Sequence, residues 1–147
     1  VEHLMQVNLI APINLAIEVM PYLEKQEKSQ IVFCCSVAGY TGLPIGQPYS
    51  SSKSGLINFA ESLHAEAPGN VDVKIINPGF VKTPMTDMNN FKMPMIMSPQ
   101  DAADRIIDGL NSNRFEIYLP TLFVLIMKLL RILPYKIKLF LTQKILK

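Results

Sequence analysis

Three short apolar runs, separated by stretches with helical periodicity, limit what this chain can fold into. The runs cover residues 31–35, 71–76 and 115–119. Apolar runs of this length, bounded by turn residues, are typical of strands buried in a sheet. Helical periodicity predicts helices over 1–27, 49–67 and 99–111. The alternation of helix and strand therefore predicts an α/β fold, with a parallel sheet and helices on both of its faces.

Proline and serine residues mark where the predicted helices bend or begin. Pro12 lies inside the first helix and is expected to kink or reorganise it, because proline has no amide hydrogen and clashes with the preceding turn. Ser98 followed by Pro99 is typical of a helix N-cap with proline at the first helical position. Adjacent Cys34 and Cys35 would form a strained disulfide, so we expect buried free thiols in a reducing compartment, the cytoplasm.

Charge is distributed unevenly along the chain. The formal net charge is +2, but residues 121–147 carry six basic and no acidic side chains, which leaves −4 on the preceding residues. The preceding part has no basic patch with interleaved aromatic residues, so nucleic-acid binding is not expected. No His or Cys spacing typical of a metal site is present in the sequence, and no metal is predicted.

The basic segment is also strongly apolar, and we treat 120–147 as a helical tail distinct from a body at 1–119. Pro134 interrupts it, and its apolar run is shorter than the ~20 residues needed to span a bilayer. A basic amphipathic element of this kind can lie on a membrane surface. A substrate lid and a subunit contact are the alternatives.

Three polar residues suggest catalysis, one at the end of the first predicted strand and two at the start of the helix that follows it. Tyr49 and Lys53 are four residues apart at the start of a helix and so share one of its faces. An ammonium beside a phenol is expected to lower the pKa of the tyrosine, which can then exchange a proton with a carbonyl or alcohol oxygen. Ser36 follows the strand at its carboxyl end, where α/β sheets place their sites, and its hydroxyl can hold the same oxygen.

This arrangement resembles the short-chain dehydrogenase/reductase family, whose members carry Tyr-x-x-x-Lys with a strand-end serine thirteen residues upstream. Three other segments resemble the family in the same order along the chain. They are Val7-Asn8-Leu9, the small-residue loop before Tyr49, and the Asn-Pro-Gly segment at 77–83. The resemblance extends to about residue 119. It implies the C-terminal half of a Rossmann-like doubly wound parallel sheet.

The resemblance also implies a role for each matching residue in an NAD(P)-dependent oxidoreductase. Tyr49 would be the general acid/base, and Ser36 would orient the substrate oxygen. Lys53 would bind the nicotinamide ribose, and Asn8 would hold a water in a proton relay. The residues expected around the NAD or NADP cofactor are Tyr49, Lys53, Pro78, Gly79, Val81 and Thr83, and a helix cap is the alternative role for Thr83.

The family's glycine-rich phosphate turn has no counterpart among the seven glycines of this sequence. The chain is therefore expected to be truncated, and alone to be inactive. A non-catalytic, membrane-associated remnant of the family is the alternative function. Methionines at 85, 88, 93, 95 and 97 favour a hydrophobic carbonyl or alcohol substrate, unless this segment simply packs on the protein. By resemblance, the first two predicted helices would form a homo-oligomer.

Overall fold

The computed structural model describes residues 1–88 and 93–144 and contains a parallel three-stranded sheet. The strands are β1 (Ser29–Cys34), β2 (Val71–Pro78) and β3 (Glu116–Leu119), in the order β1-β2-β3. Both strand pairs are parallel, with Cys34 opposite Ile76 and Asn77 opposite Tyr118. The predicted α/β class and parallel sheet are confirmed.

Seven α-helices connect and cover the strands in the described residues. They are α1 (Glu2–Met5), α2 (Ala11–Leu23), α3 (Gln47–Glu66), α4 (Pro84–Asp87), α5 (Pro99–Leu110), α6 (Thr121–Ile132) and α7 (Tyr135–Gln143). The Ser98 hydroxyl accepts the amide hydrogen of Asp101 at 3.1 Å, which confirms the predicted N-cap of α5.

The first helix ends at Leu23 rather than at the predicted residue 27. The Asn70 side chain donates to the carbonyls of Glu24 and Gln26, at 3.0 and 2.8 Å. These bonds satisfy backbone acceptors of the turn that leads into β1. Asn70 lies 44 residues beyond Gln26, so no local pattern marks this end.

The two faces of the sheet pack against different helices. Ile75 belongs to a core cluster that contains residues of α2, α3 and α6, whereas Ile76 packs with the cluster that contains Ala102 of α5. Consecutive residues of a strand point to opposite faces, so these two isoleucines mark the two layers. The prediction of helices on both faces is confirmed.

The continuous apolar run of β1 predicts a strand that is buried on both faces. This prediction is wrong, because β1 is buried on one face only. Phe33 and Cys35 are buried in the core cluster with α2 and α3, but Cys34 between them is exposed. The helix on the opposite face, α5, packs over β2 and β3 rather than over β1. Both cysteines are free, as expected, but only Cys35 is buried. Its burial raises the pKa of this thiol to about 12.

Pro12 reorganises the first helix without breaking it. The residues from Gln6 to Ile10 form one π-helical turn between α1 and α2, with Asn8 at its centre. In an α-helix the amide of residue 12 would donate to the carbonyl of Asn8, and proline has no hydrogen to give. A π-bulge is a known response to such an interruption. The turn packs against α3, with Leu9, the neighbour of Asn8, over Gly55 of that helix.

The continuous helix Glu2–Leu23 is long and apolar enough to cross a membrane by length and composition alone. Core helices of globular domains pass the same test. Ala16 is buried in the core cluster and Leu9 packs over Gly55 of α3, so one side of this helix packs on the domain, but only 11% of its apolar window is buried.

Candidate active site

Apart from Asn8, the predicted site residues belong to the segments that follow β1 and β2 at the carboxyl ends of these strands. The Cys35 amide donates to the Ile76 carbonyl at 2.8 Å, so pairing continues to the last residue before Ser36. Pro78 ends β2 beside it. Ligand sites in parallel α/β sheets lie at the carboxyl ends of the strands.

Ser36 is fixed by the turn that it begins. It is buried, and its hydroxyl accepts the amide hydrogen of Ala38 at 3.2 Å, which caps the short 3₁₀ turn Val37–Gly39. The Tyr49 phenol, on the first turn of α3, lies close enough to Ser36 for their side chains to interact. The structure therefore brings these two hydroxyl groups together.

The expected lowering of the Tyr49 pKa is wrong for this structure. Burial of the phenol raises its pKa above the usual value of 10, and the interaction with Ser36 offsets only part of that rise. The Lys53 ammonium does not reverse it, since it lies 5.8 Å from the centre of the Tyr49 ring and is directed at a backbone carbonyl. Tyr49 is consequently protonated at neutral pH.

Lys53 joins α3 to the end of β1. It is only 9 % exposed, and its ammonium donates to the Cys34 carbonyl at 2.7 Å. A buried ammonium requires hydrogen-bond acceptors. It has three N–H donors, so further acceptors, such as sugar hydroxyls, suit this position.

The loop after Ser36 lies directly on the backbone of α3 at Gly39. A Cβ atom on Gly39 would meet the carbonyl carbon of Lys53 at 2.9 Å and its oxygen at 3.0 Å. The Ser50 hydroxyl donates to the Ala38 carbonyl at 2.6 Å across the same contact. Sequence reasoning assigned no role to Ser50 and placed Gly39 only in the loop, because their partners are known only once α3 is packed.

The segment after β2 is also ordered close to the carboxyl ends of the strands. The Gly79 amide donates to the Leu119 carbonyl at 2.6 Å, and a Cβ atom on Gly79 would meet the Phe123 ring at 2.8 Å. Val81 forms a parallel bridge with Met97. Glycine is therefore required at 79 by its packing against α6.

Thr83 is the N-cap of α4, and it shares a capping box with Thr86. Its hydroxyl accepts the Thr86 amide hydrogen at 3.3 Å. The Thr86 hydroxyl lies 2.9 Å from the carbonyl oxygen of Val81. The structure thus places Thr83 in the helix-cap position, and a cofactor contact by this residue stays a prediction.

Comparison with known proteins shows the family to which this chain belongs. Residues 1–93 match the short chain dehydrogenase family. The chain belongs to this family.

Curated relatives are matched over only part of their length. The chain is 34% identical over 117 residues to an uncharacterized oxidoreductase of Myxococcus xanthus, covering 79% of this chain and 46% of the relative. It is 39% identical over 82 residues to a 3-oxoacyl-[acyl-carrier-protein] reductase of Thermotoga maritima, covering 55% of this chain and 33% of the reductase. The chain therefore spans less than half the length of these relatives.

A solved structure confirms the fold. A short chain dehydrogenase from Burkholderia cenocepacia, in complex with NADP, superimposes with a TM-score of 0.73 at 24% sequence identity. The match covers 84% of this chain and 52% of the Burkholderia chain. The chain thus corresponds to about half of the length of that protein.

A polar network that the sequence analysis missed connects the loop after Ser36 to α6. Glu116 of β3 accepts hydrogen bonds from the Tyr40 hydroxyl, the Asn77 amide and the Lys128 ammonium. Tyr40 directly follows the turn capped by Ser36, and Lys128 lies on α6. A lone carboxylate in an apolar strand was the only sequence signal, since such a group needs partners when buried.

The network determines the charge state of Glu116. Burial alone would raise the pKa of this carboxyl, but hydrogen bonds from Lys128, Tyr40 and Asn77 lower it below 4.5. Burial and the bond to Glu116 raise the pKa of Tyr40. Glu116 is therefore an anion and Tyr40 a neutral donor at neutral pH.

We expect Gly39→Ala to destabilise the protein by about 1–3 kcal/mol, because the added methyl group would force the loop away from the backbone of α3. Urea unfolding of the whole protein measures the change. Gly42→Ala is the matched control, since a Cβ atom there meets nothing within 4 Å. Equal destabilisation by the two substitutions would contradict the close contact.

We expect Glu116→Gln to reduce the free energy of unfolding at pH 7 by about 1–2 kcal/mol, because the charged hydrogen-bond acceptor is lost. The expected loss is no larger because solvent already weakens the bond between Glu116 and Lys128. The folded-state pKa of Glu116 is lowered, so its stabilisation is present above about 4.5 and is lost as the pH falls through the folded-state value.

Unfolding midpoints measured from neutral pH to about pH 3 should accordingly fall more steeply for the wild type than for Glu116→Gln. Glu66→Gln, at the exposed end of α3, serves as the control and should leave the steep fall unchanged. Parallel pH profiles for the wild type and Glu116→Gln would exclude the network as the source of acid sensitivity.

Proposed function

We propose that the protein is an NAD(P)-dependent oxidoreductase that transfers a hydride between a nicotinamide cofactor and a carbonyl/alcohol pair. The observation that carries the proposal is that three polar groups lie near one another at the carboxyl end of β1. They are the Ser36 hydroxyl, the Tyr49 phenol and the buried Lys53 ammonium. The chain spans about half of its relatives, so the activity is proposed for the whole protein.

In the direction of carbonyl reduction, Tyr49 is the proton donor. The phenol is protonated at neutral pH, so it has a proton to give to the carbonyl oxygen as negative charge develops there. The Ser36 hydroxyl, held by the turn to Ala38, donates a hydrogen bond to the same oxygen and orients the substrate. Asn8, on the π-turn beside α3, is proposed to hold a water that returns a proton to this site.

The residues present fit a nicotinamide cofactor. Lys53 uses one N–H on the Cys34 carbonyl and offers others to ribose hydroxyls. Tyr49 lies beside it, and we propose that Pro78, Gly79, Val81 and Thr83 line the nicotinamide side. NAD or NADP would supply or accept the hydride. The NADP complex of the Burkholderia structure supports this choice of cofactor class.

We propose a hydrophobic substrate. Met88 and Met95, in the segment after β2, expose apolar side chains, and methionine adapts to irregular apolar ligands. The name of the Thermotoga relative, a 3-oxoacyl reductase, is consistent with an acyl ketone. Residues 89–92 and the side chain of Met85 lie outside what the structure describes.

The oligomeric state and compartment are proposed on separate grounds. Val7, Leu15 and Ile17 are apolar and more than half exposed on the first helix, as expected for a homo-oligomer contact. The two free cysteines suit a reducing compartment such as the cytoplasm.

Turnover by the whole protein tests the activity. NAD(P)H oxidation should occur with apolar ketones or 3-oxoacyl thioesters, and Tyr49→Phe should lower kcat by about 10²–10⁴-fold, because the phenyl ring has no proton to donate. Tyr22→Phe is the matched control, since Tyr22 is an exposed tyrosine on α2, and it should leave kcat unchanged.

Two results would reject the assignment. One is the absence of turnover in both directions with every carbonyl and alcohol tested, which would favour a non-catalytic member of the family. The other is turnover that survives Tyr49→Phe undiminished.

A further inference from the structure

The side of α6 that faces away from the sheet carries an uninterrupted apolar stripe. Val124 and Met127, on its inner side, are buried in the core cluster. Further exposed apolar residues lie on α7, the next helix along the chain, and we call the two sets together the α6–α7 surface. Its members are Leu122, Leu125, Ile126, Leu129 and Ile132 on α6 and Ile137, Phe140 and Leu141 on α7, and Ile132 is 77% exposed.

This surface is not needed to complete the core. The inner side of α6 already supplies side chains that are 0 and 4 % exposed, whereas Leu122 and Leu129 on the outer side are 60 and 57% exposed. Contiguous exposed apolar patches in folded proteins mark interaction sites. The exposed apolar residues of α6 follow helical spacing, so they form one continuous face of that helix.

The charged side chains of α6 and α7 in the described residues are all positive. Arg131, Lys136, Lys138 and Lys144 are at least partly exposed, and residues 121–144 contain no acidic side chain. Lys128, by contrast, is engaged by Glu116 and belongs to the network under α6. A basic apolar surface without acidic residues complements an anionic partner.

Aromatic rings accompany the cations on α7. The Lys138 ammonium lies 4.3 Å from the centre of the Tyr135 ring, and that of Lys144 lies 4.6 Å from the centre of the Phe140 ring. Lysines that extend beside apolar groups, with their charge at the rim, are typical of helices that lie in the headgroup region of a bilayer.

The length of α6 limits how this helix can contact a bilayer. The 12 residues of α6 extend about 18 Å, which is less than the ~30 Å hydrocarbon core, so the helix cannot cross a bilayer. The helix packs beside β3, at the end of the sheet opposite the free edge of β1. A strand that extended the sheet at β1 would therefore lie at the opposite edge of the sheet from α6.

We propose that the α6–α7 surface docks the protein on the face of an anionic phospholipid bilayer. The apolar stripe enters the headgroup region with α6 parallel to the membrane, and the lysines of α7 contact lipid phosphates. This inference stands independently of the proposed oxidoreductase activity, because no residue of the Ser36–Tyr49–Lys53 site takes part in it.

Vesicle co-sedimentation of the whole protein tests the electrostatic part. Binding should be strong with phosphatidylcholine/phosphatidylglycerol vesicles, weaker with phosphatidylcholine alone, and reduced by added salt. The double variant Lys136→Gln/Lys138→Gln should bind the anionic vesicles about thirtyfold more weakly, from the contribution of two lysines near a charged surface. Lys25→Gln/Lys28→Gln, exposed on the turn after α2, is the matched control and should bind like the wild type.

The apolar part is tested by Leu125→Ser/Leu129→Ser. Both leucines are exposed, so the variant should fold normally while its vesicle binding falls by at least about tenfold. Ile107→Ser removes a similarly exposed side chain from α5 and should have no effect on binding.

Three results would overturn the proposal. The first is an absence of binding to anionic vesicles. The second is binding that the α7 lysine variant leaves unchanged. The third is a smaller oligomer, seen by light scattering, for Leu125→Ser/Leu129→Ser together with unchanged vesicle binding, which would assign the surface to a second copy of the chain. Each result is obtained without an activity assay, so failure of the docking proposal is distinguishable from failure of the catalytic one.

Discussion

The contact between α3 and the end of β1 is the constraint on which the site depends. The Lys53 ammonium binds the last carbonyl of the strand, at Cys34, and Gly39 allows the following loop to lie on the backbone of α3. Together these contacts bring Ser36 to the first turn of the helix, where Tyr49 lies. Without them, two residues thirteen apart in sequence would have no fixed relation.

Burial creates the contact and also alters its chemistry. Partial burial of the Tyr49 phenol raises its pKa, so in this structure the residue is a neutral phenol rather than a phenolate. The Lys53 ammonium donates to a backbone carbonyl, and its other N–H groups can meet further acceptors. The same packing thus affects both the position of the pair and the pKa of Tyr49.

The Glu116 network extends this order to the opposite end of the sheet. Through Tyr40, Asn77 and Lys128 a single carboxylate joins the active-site loop, the end of β2 and α6. Because each partner comes from a different element, displacement of α6 would remove a hydrogen-bond donor from Glu116. A helix with its outer side turned to solvent is therefore connected, through its inner side, to the loop that begins at Ser36.

The sequence alone determined the order of strands and helices, the α/β class and the cap at Ser98, because these follow from local periodicity and backbone chemistry. It also singled out Tyr49 and Lys53 as neighbours, since one helical turn separates them. Only the tertiary structure decided that Cys34 is exposed, that the first helix ends at Leu23, and that the pKa of Tyr49 rises. Each of these depends on which distant residues cover or bond a group, and burial of that kind is set by packing rather than by local sequence.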